Sequence, residues 1–416
     1  MNRNITFQSI FGLVLIVSLL AGCGAPAAIP EETSTPSLMP PAPTSVLPTL
    51  TLIPTVTPTP YPTPNLNQHP LIWFAPLPPL SKVEWRQFIG AEDFMELFNP
   101  DAPWTQAAGK VQVFKLAGEW VGTDPWNVHA SDSELRQVVA DLNRRGIALA
   151  MEAGPLEPTA TCGQGIEGFG GGEAIGIRDA RRIKNAGGTL SYIALDEPFF
   201  FASIYNGENA CHWTAEKVAK EVGTYIEGVR TVFPDILVGD TEPYIQGVDV
   251  EDYTNWLSTF RSVNGYDLAF FHLDVDFSQP DWSQAALELE TFANESNIDF
   301  GIIYFGSWNA KTDEEWLVSA GERVKTYELV TGGKPDHILF QSWHDHPDYT
   351  LPETEPYTFT WFINTYFEDK ADLGVRTEGP GANLAYGKPV TSSSSYQAQP
   401  PGAVDGNIDT YWGAGD

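Results

Sequence analysis

The chain has 416 residues, 42% of them hydrophobic, and a formal net charge of −31. That length and apolar content are enough for one large buried core. The acidity excludes nucleic acid and anionic lipid surfaces as electrostatic partners, because both need an excess of Lys and Arg.

At the N-terminus, Arg3 precedes an apolar run from Ile5 to Leu20 that is too short to span a bilayer comfortably. Leu20-Ala21-Gly22-Cys23 follows at once. The segment resembles a bacterial lipoprotein signal. This implies removal of residues 1–22, a lipid on Cys23, and attachment to the outer face of a bacterial membrane. An ordinary signal peptide or membrane anchor is the alternative. Residues 23–69 are rich in Pro, Thr and Ser, and within this segment Glu31 and Glu32 are the only acids, with no Lys or Arg. Such a segment cannot bury enough apolar surface to offset its ordering entropy. It is expected to be a disordered tether, spanning on the order of 100 Å at polyproline spacing.

Residues 70–372 alternate regularly. Strand-like runs fall at Leu71–Ala75, Val111–Leu116, Ile147–Met151, Leu190–Leu195, Ile236–Gly239, Leu268–Leu273, Phe300–Phe305 and His337–Phe340. Helix-like segments lie between them; one opens with the capping-box pattern Ser131-Asp132-Ser133-Glu134 and stops at Gly146. Others are predicted near Ala215–Val232, Val250–Ser262, Trp282–Asn297, Thr312–Val330 and Tyr357–Phe367. Eight strands alternating with helices predict a (β/α)8 barrel. The competing doubly wound sheet usually has a Gly-rich turn after its first strand, and none follows Leu71–Ala75. The Gly-rich stretch Gly163–Gly172 lacks the Gly-Lys-Ser/Thr ending of a phosphate loop and reads as a loop on the active face.

Barrel enzymes place their chemistry at the C-terminal ends of the strands. Here the second strand offers Lys115, the third Glu152, and the fourth stops at Asp196-Glu197-Pro198. The fifth reads Asp240-Thr241-Glu242-Pro243, a second acid-proline stop, and the sixth carries His272, Asp274 and Asp276 on one face. Acids cannot be buried unpaired without a large desolvation cost, so this convergence predicts a functional cleft. Alternatively, single acids cap helices or pair with Lys115, Arg178, Arg181 or Arg182. Thirteen Trp residues add candidate stacking faces, with Trp73, Trp120, Trp308 and Trp343 nearest the strand ends and Lys115 as a polar contact. Cys162 and Cys211 lie in loops after neighbouring strands, where an exported protein would bridge them.

Asp196-Glu197-Pro198 resembles the strand-four ending of the large group of barrel glycoside hydrolases, in which the acid/base Glu is often followed by Pro. That resemblance implies Glu197 as general acid, Asp196 as its neighbour and a carbohydrate substrate. The pattern departs at strand seven, where the group places a nucleophilic Glu: residues 301–308 contain no acid. The partner of Glu197 is therefore left among Glu242, Asp274 and Glu152. A non-catalytic glycan-binding protein is the alternative. A metal-dependent polysaccharide-modifying hydrolase using His272-x-Asp274 or His344-Asp345-His346 is a further one. No cofactor is expected for the barrel.

From residue 380 the texture changes. Asn383-Leu384-Ala385 and Gly387-Lys388-Pro389-Val390 are followed by Val404-Asp405-Gly406-Asn407-Ile408-Asp409-Thr410 and Tyr411-Trp412. Residues 380–416 resemble the opening of a discoidin-type (coagulation factor 5/8 type C) module. The resemblance implies a β-sandwich that binds sugars, with Asp405, Asn407 and Thr410 around a structural calcium. A whole module is expected to need roughly a hundred further residues, an extent that small sandwich domains typically require.

Overall fold

A computed structural model describes residues 62–67, 69–79, 90–123, 128–368, 370 and 373. The leader with Cys23, most of the Pro/Thr-rich segment, and the C-terminal stretch with Asp405, Asn407 and Thr410 lie outside the described residues. Among the described residues, no helix is long and apolar enough to cross a membrane.

Eight parallel strands follow one another around a closed ring: β1 (Leu71–Ala75), β2 (Val113–Leu116), β3 (Ala148–Ala153), β4 (Leu190–Asp196), β5 (Leu237–Tyr244), β6 (Phe270–Val275), β7 (Asp299–Tyr304) and β8 (His337–Gln341). Pairing of β1 with both β2 and β8 closes it. The fold is a (β/α)8 barrel.

The strands form where the sequence is apolar on both faces, because one face meets the barrel interior and the other the helices. All five residues of β1 are buried. The helix Asp132–Arg145 starts at the Ser131 capping box and ends at Gly146, whose φ of 72° suits glycine. A helix at Gly172–Asn185, following the Gly-rich stretch, is an element the sequence reading does not name. The first connection also differs: its described part holds only the short pieces Phe94–Phe98 and Thr105–Ala108. Leu66 packs on the core, so the folded body begins before residue 70.

The fifth strand corrects a second expectation, because it runs through Pro243 to Tyr244. Thr241 is the last β5 residue to pair with β4, which ends at Asp196. The Pro243 nitrogen faces that vacated side, so its missing N–H breaks no ladder bond.

The barrel interior is filled by aromatic rings. Trp73 is 0% exposed and lies 4.9 Å from both Tyr192 and His272, and 5.4 Å from Phe270 and His337, centroid to centroid. It spans the ring from β1 to β4, β6 and β8, so it is core and not a stacking surface. Glycines on the intervening strands leave the room: a Cβ at Gly239 would meet the Phe270 ring at 2.3 Å, and one at Gly301 the His272 ring at 2.4 Å. Trp120 is also core, 2% exposed and edge-on to Phe94 at 5.3 Å.

Candidate active site

Strand alternation decides which side chains reach the mouth. On β6, Phe270, His272 and Asp274 share the inward face. His272 Nε2 lies 2.9 Å from His337 Nδ1, and burial holds His272 well below and His337 at about 3, both neutral at ordinary pH. The pair forms the floor of the site, and His272 is engaged there instead of beside Asp274 as a metal ligand.

One layer above, Lys115 Nζ donates to Glu152 Oε2 at 2.5 Å. Gln341 Nε2, from β8, lies 3.4 Å from the same oxygen. Strands β8 and β3 are not neighbours, so that contact crosses the barrel interior and places Glu152 and Gln341 inside it. Asp196 and Asp274 end the inward faces of β4 and β6. Burial raises Asp196 well above the usual carboxylate range, Glu152 and Glu167 add to this, and Lys115 opposes it. Asp274 is pushed up to about 7, by burial first and then by Glu167 and Glu152 against Lys115 and Arg323.

Glu197 continues the ladder by one bond, its N–H donating to Thr241 O at 2.9 Å. Its φ of 51° is left-handed, an unfavourable conformation for a residue with a Cβ. The chain turns there, and Glu197 remains partly exposed at the mouth. Burial raises its carboxyl well above the usual range, followed by the charges of Asp274, Asp196, Glu167 and Glu242.

Glu242 does not face the cleft. It is fully buried, and its two oxygens accept the N–H groups of Phe199 and Phe200 at 2.7 and 2.9 Å. Asp240, two residues earlier on the same face, accepts from Trp256 Nε1 at 2.6 Å. Both acids point outward, toward the helical layer. Glu242 caps the turn that follows Glu197 and so positions that residue without meeting substrate. Asp276 is likewise local, accepting from the Ser278 N–H and hydroxyl at 3.0 and 2.7 Å.

The arginines offered as partners for the acids lie elsewhere. Arg178 bonds Asp179 at 2.7 Å, and Arg182 donates to the carbonyls of Val121 and Gly122 at 2.5 and 2.6 Å. With Arg181 they line a cavity of about 500 Å³ between the helices Asp132–Arg145 and Gly172–Asn185.

A wall of aromatics borders the mouth after β7 and β8. Trp308 is 64% exposed, and its ring stacks on His344 at 3.4 Å and 29°. Trp343, partly buried, lies 4.6 Å from Phe305 and 6.1 Å from Trp308. Behind it, Asp313, His346 and Asp348 bring donor atoms within 4.8 Å of one another. Asp313 Oδ1 already accepts from His346 Nδ1 at 2.7 Å and from the Asp348 N–H at 2.9 Å, which ties the β8 loop to the helix Asp313–Val324.

The Gly-rich loop contributes Glu167, which the sequence reading does not single out. It is the one acid between Cys162 and Gly172. A Cβ at the next residue, Gly168, would stand 3.2 Å from the Glu197 carbonyl oxygen and the Pro198 Cα, so the loop rests on the β4 ending. Cys162 and Cys211 are bonded, with 5.1 Å between their Cα atoms, which joins this loop to the one after β4.

These raised values set the sign of the pH dependence of stability. Between the unfolded Asp value of about 3.9 and the folded value, native Asp240 and Asp274, both near 7, hold protons that the unfolded chain has lost. Their stabilisation is complete below the lower value and disappears as pH rises through the upper one. Thermal unfolding is therefore expected at a lower temperature at pH 8 than at pH 5. A rise over that interval would contradict the burial described for these groups.

No protein-family profile and no curated protein sequence matches the chain. Solved barrels do. A glucosidase from Croceicoccus marinus is similar at 12% identity and a TM-score of 0.41, over 74% of this chain and 69% of the other. The GH53 catalytic domain of Ignisphaera aggregans matches at 10% and 0.40, over 57% and 75%. An L-ribulose 3-epimerase matches at 10% and 0.39, over 75% and 100%.

Proposed function

We propose that the barrel is a glycoside hydrolase, with Glu197 as general acid and Asp274 as the partner carboxylate. The observation that carries this reading is the placing of two carboxyls at the mouth, Glu197 just past β4 and Asp274 on the inward face of β6, with the Asp274 charge opposing ionisation of Glu197. Only β5 separates them, and two strand spacings put the backbones about 10 Å apart. Carboxyls that flank a glycosidic bond stand about 5 to 10 Å apart, a separation within reach of side chains on such backbones. Burial raises both carboxyls, Asp274 to about 7, and the charge of Asp274 adds to the rise at Glu197, an asymmetry that suits an acid and its partner. Glu197 then protonates the leaving oxygen, and Asp274 acts on the opposite side of the anomeric carbon. Asp196 and the Lys115–Glu152 pair set the charge beneath them.

Trp308 and Trp343 provide sugar-stacking faces in this reading. Trp308→Ala is expected to raise KM by about ten-fold with little change in Tm, since the ring is exposed. An unchanged KM would remove it from the binding surface. The leader and tether would attach the enzyme to the outer face of a bacterial membrane through Cys23. The C-terminal segment would be a sugar-binding module with calcium at Asp405, Asn407 and Thr410.

Release of reducing ends from a panel of polysaccharides tests the activity. Binding of a glycan without release from any would instead support a non-catalytic glycan-binding protein.

A further inference from the structure

Glu167 stands where electrostatics disfavours a charge: burial raises its carboxyl, and the charges of Glu152 and Glu119 add to this. Part of the residue reaches solvent, but its carboxyl is crowded enough for desolvation to lead, and among the described residues no hydrogen bond or ion pair engages it. Yet it acts on Asp196, Glu197 and Asp274, in each case against their ionisation. Its loop is not free to turn the charge away. Leu156 N–H donates to Gly168 O at 2.9 Å, and Gly171 N–H to Leu156 O at 3.0 Å. A Cβ at Gly170 would stand 2.7 Å from Gly154 O, so the two backbones are in contact. The Cys162–Cys211 bond anchors the loop's start.

A second observation comes from the other side of the mouth. Gln341 is 8% exposed, its amide is directed at Glu152, and its Oε1 has no donor. On β5, the Thr241 hydroxyl is 95% buried by residue and equally unpartnered, since Thr241 is 5% exposed. Buried polar atoms without partners are costly in a finished structure and are often completed by a ligand. The cations that act on the mouth acids are Lys115, already bonded to Glu152, and Arg323, which donates to Phe305 O. The mouth thus gathers five carboxyls, Glu152, Glu167, Asp196, Glu197 and Asp274, against Lys115 and Arg323, and the unpartnered Gln341 Oε1 can only accept.

A hydroxyl brings one donor and no charge, and a uronate would be repelled. A protonated amino group brings three donors and a positive charge. We infer that the cleft takes a sugar unit bearing a free amino group, with Glu167 and Gln341 as specificity-determining residues. This rests on the glycan reading of the cleft but not on its being hydrolytic.

The test is calorimetric binding to the full chain carrying Glu197→Gln, which blocks turnover. The probes are oligomers of glucosamine, of N-acetylglucosamine, of glucose and of galacturonate. The glucosamine oligomer is expected to bind at least about ten-fold more tightly than the others, and less tightly as salt is raised. Adding Glu167→Gln should remove most of that preference, and Gln341→Ala part of it, with circular dichroism confirming the fold. Equal or tighter binding of a neutral or acidic oligomer overturns the inference, as does failure of the glucosamine oligomer to bind. Salt-sensitive glucosamine binding without hydrolysis of any glycan by the wild type would sink the hydrolase reading alone. Hydrolysis of neutral glycans without glucosamine binding would sink this one alone.

Discussion

Glu197→Gln is expected to lower kcat on polysaccharide by about 10²- to 10⁴-fold, the usual contribution of a positioned general acid. Gln keeps the shape and the hydrogen-bonding backbone but has no proton to give. The turn that holds Glu197 is maintained by Glu242 and by the bond from its own N–H to Thr241, neither of which uses its side chain. Tm should therefore change little. An aryl glycoside with a good leaving group needs little protonation, so its cleavage should fall far less. Equal losses on both substrates would mean that Glu197 does something other than protonate a leaving group.

Asp274 and Glu242, equally plausible partners from sequence, are expected to separate cleanly. Asp274→Asn should cost activity on a scale similar to Glu197→Gln while leaving stability unchanged or higher, because the site loses a repelling carboxylate. It should also lower the Glu197 pKa, since Asp274 exerts the largest charge effect on it. Glu242→Ala leaves the Phe199 and Phe200 N–H groups buried without acceptors, at a cost of about 1–3 kcal/mol each. Its Tm should drop by several degrees and activity should fall with it. Full activity in Asp274→Asn would send the search for the partner to Asp196 or Glu152.

The barrel was legible because its strands are apolar on both faces and stop on polar groups, as β4 does at Asp196. Asp196, Glu197, Asp274 and Glu152 could be located by counting along those strands. Glu242 could not, because inward and outward faces differ by one residue and Pro243 does not end β5. Trp73 sits at a strand centre and fills the barrel axis, a fate that residue type alone does not distinguish from a cleft wall. Glu167 left one signal, a single carboxylate among glycines in a loop after β3. Its meaning depends on where the loop folds back, which is set by the contact of Gly168 with the Glu197–Pro198 backbone.

The most direct test of the central claim is reducing-end release from a polysaccharide panel that includes amino-glycans, with wild type and Glu197→Gln side by side. The account predicts release by the wild type from at least one glycan and about a hundredth of that rate or less from the variant. Equal rates in the two proteins, or no release by the wild type from any glycan, would contradict it.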